Sequence, residues 1–160
     1  MPFTPIHLGA GLAAKAIGRR HFSLLIFAGS QVLMDIEPLL GIINGWPVLH
    51  GLSHTLGGAV ILAMVATLVG KPLSQWLLRW RKLPVQSLTW NVALLSALIG
   101  TLSHIGLDAI MHSDMNPFWP LQTGNSWLGL ISIEQLHVLC FVLGLIGALV
   151  IAIQHKMSTK

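Results

Sequence analysis

The chain has 160 residues, of which 54% are hydrophobic and only 9% charged, with a mean hydropathy of +0.76 and a pI near 9.9. Soluble domains carry about 25% charged residues, so this composition excludes an ordinary water-soluble protein and indicates one integral membrane domain over 1–160. The net charge of +4 does not form a nucleic-acid-binding stripe, and no nucleic-acid partner is expected.

The opening Met-Pro-Phe-Thr-Pro lacks the basic start and the cleavage site of a signal peptide. The hydropathy pattern then predicts an all-α integral membrane bundle of about five helices, over 5–18, 22–35, 50–70, 86–112 and 131–154. The first two are short, below the ~20 residues that a bilayer core needs, and are expected to form a half-depth hairpin or to lean on their neighbours. Pro38 and Gly41 are expected to close the second helix, and Lys71-Pro72 the third. The stretch 113–130 is rich in turn formers and reads as a loop. Cys140 stands alone in an apolar run, which leaves no disulfide framework and reads as a small packing residue.

Polar residues sort to opposite helix ends. His7 begins the first helix, Asp35 and Glu37 end the second, His50 and His54 begin the third, and His104, Asp108 and His112 end the fourth. Glu134 and His137 begin the fifth. The cations lie at the other ends: Lys15, Arg19 and Arg20; Lys71, Arg79, Arg81 and Lys82; Lys156 and Lys160. Three tryptophans accompany each set, Trp46, Trp119 and Trp127 against Trp76, Trp80 and Trp90, as aromatic belts would. The excess of positive charge on cytoplasmic loops then puts the His/Asp end outside, toward the periplasm where the cell has one, and a bacterial inner membrane is the expected location. A reporter fused after Lys160 is expected to read as cytoplasmic, and an extracytoplasmic signal would overturn that orientation.

The acids and histidines suggest a divalent metal. Residues four apart share a helix face, which groups His50 with His54, and His104 with Asp108 and His112. Imidazole and carboxylate are common zinc ligands, and a carboxylate at membrane depth needs a partner. Asp35, His54, His104 and Asp108 are the leading ligands, followed by His7 and His112. Glu37 reads either as a ligand or as an interfacial carboxylate, and His50 as a ligand or as a residue lining the entrance. Asp114 reads as a solvated charge or loop cap, or as a catalytic carboxylate. Glu134 and His137 can face the site, with a packed, hydrogen-bonded His137 as the other reading. Whichever of Glu37, Asp114 and Glu134 stays unligated is a candidate general base. Ser53, Thr55 and Ser103 flank the histidines and are expected to hydrogen-bond them.

The segments Met34-Asp35-Ile36-Glu37-Pro38, His50-Gly51-Leu52-Ser53-His54-Thr55, Leu102-Ser103-His104-Ile105-Gly106-Leu107-Asp108 and Asn116-Pro117-Phe118-Trp119-Pro120 resemble a membrane-bound metal-dependent hydrolase family, the YdjM-like proteins. The resemblance covers about 1–135. More remotely, the order of histidines and aspartates is similar to that of the zinc-dependent phospholipase C and S1/P1 nuclease superfamily. That resemblance implies a zinc phosphodiesterase-like site centred on Asp35, His54, His104 and Asp108, with His7 and His112 as outlying histidines. This chain departs from the superfamily pattern in starting Met1-Pro2, in having Glu134-x-x-His137, and in lacking an arginine after His50. One or two ions are therefore expected instead of three.

The expected activity is hydrolysis of a phosphoester in a membrane lipid or a small lipid-like substrate. A structural or regulatory membrane protein stapled by metal, and an ion carrier, are the alternatives.

Overall fold

The computed structural model describes residues 5–83 and 88–158. The predicted helix start at 86, and the positions Met1, Pro2 and Lys160, lie outside them. The described residues are helical with no strand: α1 Leu8–Gly18, α2 Leu24–Met34, α3 Ile36–Asn44, α4 Leu56–Trp80, α5 Trp90–Met111 and α6 Ile133–Ser158. Separated only by Asp35, α2 and α3 form one membrane-length segment, Leu24–Asn44. With α4, α5 and α6 they make four helical spans long and apolar enough to cross a membrane. Among the described residues α1 alone is too short, so the expectation that the second helix is also short is corrected.

Local chemistry explains where the boundaries moved. Pro38 falls in the first turn of α3, where a missing N–H costs no hydrogen bond, so it opens a helix instead of closing one. The stop comes at Gly45, whose φ of 66° provides the left-handed C-terminal cap. Pro72 lies inside α4, which continues to Trp80. A proline within a membrane helix is tolerated where its surroundings satisfy the freed backbone groups. At the other end, α4 begins six residues later than predicted, because Thr55 caps it. The Thr55 hydroxyl accepts from Gly58 N–H at 3.0 Å. His50 and His54 therefore lie on a loop and a single 3₁₀ turn, Leu52–His54, and not on one helix face.

The core is built from small residues that let helices approach closely. Ile26 of α2 packs on Ala63 and Ala66 of α4 and on Ala93 and Ala97 of α5. Nearer the polar end, Met34, Ala59, Ile105 and Ala109 close around Met115. Polar links reinforce the α2–α5 pair: Ser23 N–H donates to Ser96 Oγ at 2.8 Å, and Gln31 Nε2 to the Gly100 carbonyl at 2.9 Å. Helix α1 packs chiefly on α6, in parallel. Gly9 lies against the Cys140 carbonyl, Gly147 against the Leu12 backbone, and Gln154 Nε2 donates to the Ala16 carbonyl at 3.0 Å.

The loop after α5 folds back over its end. Asn125 Nδ2 donates to the carbonyls of Ala109 and His112, and Gly129 N–H to that of Ile110. These bonds satisfy acceptors that a helix end leaves open. They also fix the segment carrying His112 and Asp114.

Candidate metal centre

Three parts of the fold deliver four side chains to one end of the bundle. Asp35 sits at the α2–α3 break, His54 ends the 3₁₀ turn before α4, and His104 and Asp108 lie one turn apart on α5. His104 Nε2 is 3.1 Å from Asp108 Oδ2 and 3.4 Å from Asp35 Oδ1, and His54 Nε2 is 3.5 Å from Asp108 Oδ2. All four residues are buried.

Hydrogen bonds behind the histidines decide which ring nitrogen faces this cluster. Ser53 donates its one hydroxyl proton to Glu37 Oε2, so its oxygen can only accept from His54 Nδ1, 2.8 Å away. That leaves His54 Nε2 with a lone pair. Gln31 spends its amide N–H on the Gly100 carbonyl, which turns Oε1 toward His104 Nδ1 at 2.6 Å. His104 Nε2 is thereby left with a lone pair as well. Both Nε2 atoms are buried without a hydrogen-bond partner.

Two carboxylate oxygens and two imidazole lone pairs thus converge with no proton assigned between them. Their combined charge of −2 matches one divalent cation. Ligands bound at ~2.0–2.1 Å to a tetrahedral ion lie roughly 3.3 Å apart, and the observed contacts of 3.1, 3.4 and 3.5 Å bracket that value. The residues fit a divalent metal ion.

His7, in the turn before α1, reaches the same cluster: its Nε2 is 3.7 Å from Asp108 Oδ1. Both ring nitrogens are buried without a hydrogen-bond partner. Burial pushes the His7 imidazole down, against an upward pull from Asp108, and burial likewise lowers His54. Both rings are therefore neutral at pH 7.

The remaining expected site residues take different places. His50 is buried, bonds Asp114 Oδ1 through Nδ1 at 2.8 Å, and stacks on half-buried His112 with ring centroids 4.0 Å apart. The other Asp114 oxygen accepts from the N–H groups of Leu49 and His50 at 2.9 and 3.2 Å. Burial would raise the Asp114 carboxyl, but these hydrogen bonds outweigh it and hold the group at about 2. Glu37 accepts from Leu52 N–H, Ser53 N–H and the Ser53 hydroxyl. Gly51 permits this, since a Cβ there would press on the Glu37 carboxylate.

Glu37 and Asp114 therefore anchor the histidine-bearing loop, and neither stands free as a base. Thr55 caps α4, and Ser103 accepts from Gln31 at 3.4 Å and donates to the Gly100 carbonyl. Glu134 is exposed and makes no hydrogen bond with the described residues, so the structure does not bring it to the cluster. His137 is half-buried on α6.

Gln31 is the residue that sequence reasoning missed. Its signal was an amide in an apolar helix one turn before Asp35.

No curated protein and no solved structure matches the chain. The sequence model of one family, described as YdjM inner membrane protein, matches residues 4–159.

Proposed function

We propose that this chain, which belongs to the YdjM inner membrane protein family, is a membrane-embedded metal-dependent hydrolase acting on a phosphoester of a lipid or lipid-linked substrate. His7 is the observation that carries the reading. A cation that only stapled helices together would be served by Asp35, His54, His104 and Asp108. A third imidazole, buried beside these four groups with neither nitrogen bonded, is costly for structure alone.

A divalent ion at the cluster, with zinc expected from the mixed nitrogen and oxygen donors, supplies Lewis-acid polarisation of a phosphoryl oxygen and acidifies a water. The protein's own groups do the rest. Gln31 and the Glu37–Ser53 pair hold His104 and His54 in the tautomers that present Nε2. His7 Nε2 is placed to accept and return a proton beside Asp108 Oδ1.

Two features favour a lipid. The cluster lies at the end of membrane-length helices. A groove of about 380 Å³, walled by Leu33, Leu40, Ile61 and Leu62, is also lined by Glu37 and Ser53, the pair behind His54. The order of ligands, similar to that of the zinc phospholipase C superfamily, favours phosphoester chemistry. The cations at the opposite helix ends favour an outward-facing site. The acids gather at one end instead of tracing a path across the bundle, which argues against ion carriage.

The test is zinc-loaded protein in detergent with a panel of phospholipids and polyprenyl phosphoesters, products read by mass spectrometry, beside His7→Ala. Phosphoester cleavage that falls by about 100-fold or more in the variant is expected. Intact substrates throughout, with metal retained and the fold dependent on it, would leave a metal staple in place of an enzyme.

A further inference from the structure

We infer that this end of the protein holds a second, outer divalent-cation site formed by His50, Asp108 and His112, which shares the Asp108 carboxylate with the inner site. The inference rests on the metal-centre reading above and deepens it.

One ligand atom from each of His50, Asp108 and His112 lies within 4.8 Å of the others, as holds for the inner set of Asp35, His54, His104 and Asp108. Asp108 is common to the two groups. Its Oδ2 faces His54 and His104, which leaves Oδ1 on another side of the carboxylate. The nearest ring nitrogen there is His7 Nε2 at 3.7 Å, too far for a hydrogen bond. His7 Nε2 is itself buried with no hydrogen-bond partner, so the Oδ1 side of the carboxylate carries no bonded donor from that ring.

His50 is prepared in the way metal-binding histidines are. Asp114 accepts from its Nδ1, so Nε2 carries the lone pair, and two backbone N–H groups fix the carboxylate in turn. His112 stacks on His50 at 4.0 Å with an interplanar angle of 27°. Two imidazolium rings at that separation would repel, whereas two neutral rings can share a cation. His112 is also the one half-buried member of either group, so the outer ion sits nearer solvent. It draws on a single shared carboxylate, where the inner ion has two. The outer ion should therefore bind more weakly and leave first.

This arrangement gives Asp114 a purpose that its distance from the inner cluster did not. It is a positioning residue for His50, fixing the loop and the ring tautomer together.

The experiment is elemental analysis of the full-length protein in detergent, equilibrated with zinc at graded free concentrations. Wild type is compared with His50→Ala/His112→Ala and with the milder His112→Gln, each checked for folding by thermal melting. Two equivalents are expected for wild type, the weaker removed first by chelator. About one is expected for the double variant, and His112→Gln should weaken the second equivalent by at least about 10-fold. A single equivalent in wild type, unchanged in the variants, would overturn the outer site and leave the inner one standing. Two equivalents retained in the folded double variant would also overturn it, because the second ion would then lie elsewhere. Folded wild type that binds no metal would remove the inner site as well, and with it the hydrolase reading.

Discussion

Asp108→Asn should abolish the protein's response to divalent metal while leaving the metal-free protein about as stable as wild type, or more so. Asp108 is the only carboxylate within reach of His7, His54 and His104 together. Its replacement removes one of four inner donors and half of the negative charge. Metal affinity should fall by more than the 10- to 100-fold typical of residues that only support ligands. Without metal, Asp35 and Asp108 are two buried carboxylates close to the same His104 nitrogen, and neutralising one relieves repulsion. A ligand at 1,000 times its dissociation constant stabilises the native state by about 4 kcal/mol. Melting in chelator and in excess zinc should therefore show a large shift for wild type and none for the variant. If the cluster were instead an imidazolium–carboxylate network, Asp108→Asn would destabilise the chelated protein by about 3–5 kcal/mol, as breaking a buried ion pair does. That outcome would sink the metal reading.

Gly9→Ala should lower both stability and metal retention, although Gly9 touches no ligand. A Cβ at Gly9 would overlap the Cys140 carbonyl oxygen and meet its carbonyl carbon at 2.8 Å, so the obstruction is backbone and cannot rotate aside. Helix α1 would have to lift from α6, taking His7, two residues earlier, with it. Overpacking of this kind costs about 1–3 kcal/mol. For a chain of this size that corresponds to a drop in melting temperature of about 3–10 °C. Gly9→Leu should do worse. The check is thermal melting in detergent alongside metal content. An unchanged melting temperature with full metal would mean that α1 does not dock on α6 as described.

The parts of the site that lie on regular helix were legible in the sequence. His104 and Asp108 are one turn apart on α5, and the helix runs through both, so four-residue spacing translated directly into a shared face. The same rule misled for His50 and His54. Thr55 captures the Gly58 N–H and starts α4 after the histidines, and Glu37 draws the 51–53 backbone into a turn. The two rings still meet, with centroids 4.9 Å apart, through loop geometry that no periodicity encodes. His112 was likewise assigned to a helix that ends one residue before it.

The carboxylates were the hardest to read. The use of Glu37 and Asp114 as loop anchors depends on backbone N–H groups 15 and 16 residues away for Glu37 and some 65 for Asp114, separations that no local pattern encodes. Pro38 illustrates a simpler ambiguity: the same residue that stops a helix from within can open one from its first turn.

The parallel pairing of α1 with α6 has a bearing on how the protein is made. Helix α1 leaves the ribosome before α2 to α6 and is too short to cross a bilayer unaided, yet its main neighbour is α6. During synthesis α2 to α5 can insert and bring Asp35, His54, His104 and Asp108 together while α1 still waits at the membrane surface. His7 can take its place only when α6 arrives. The nascent protein would then pass through a stage able to capture an ion but lacking the imidazole beside it, and translation of α6 would be the event that completes the site.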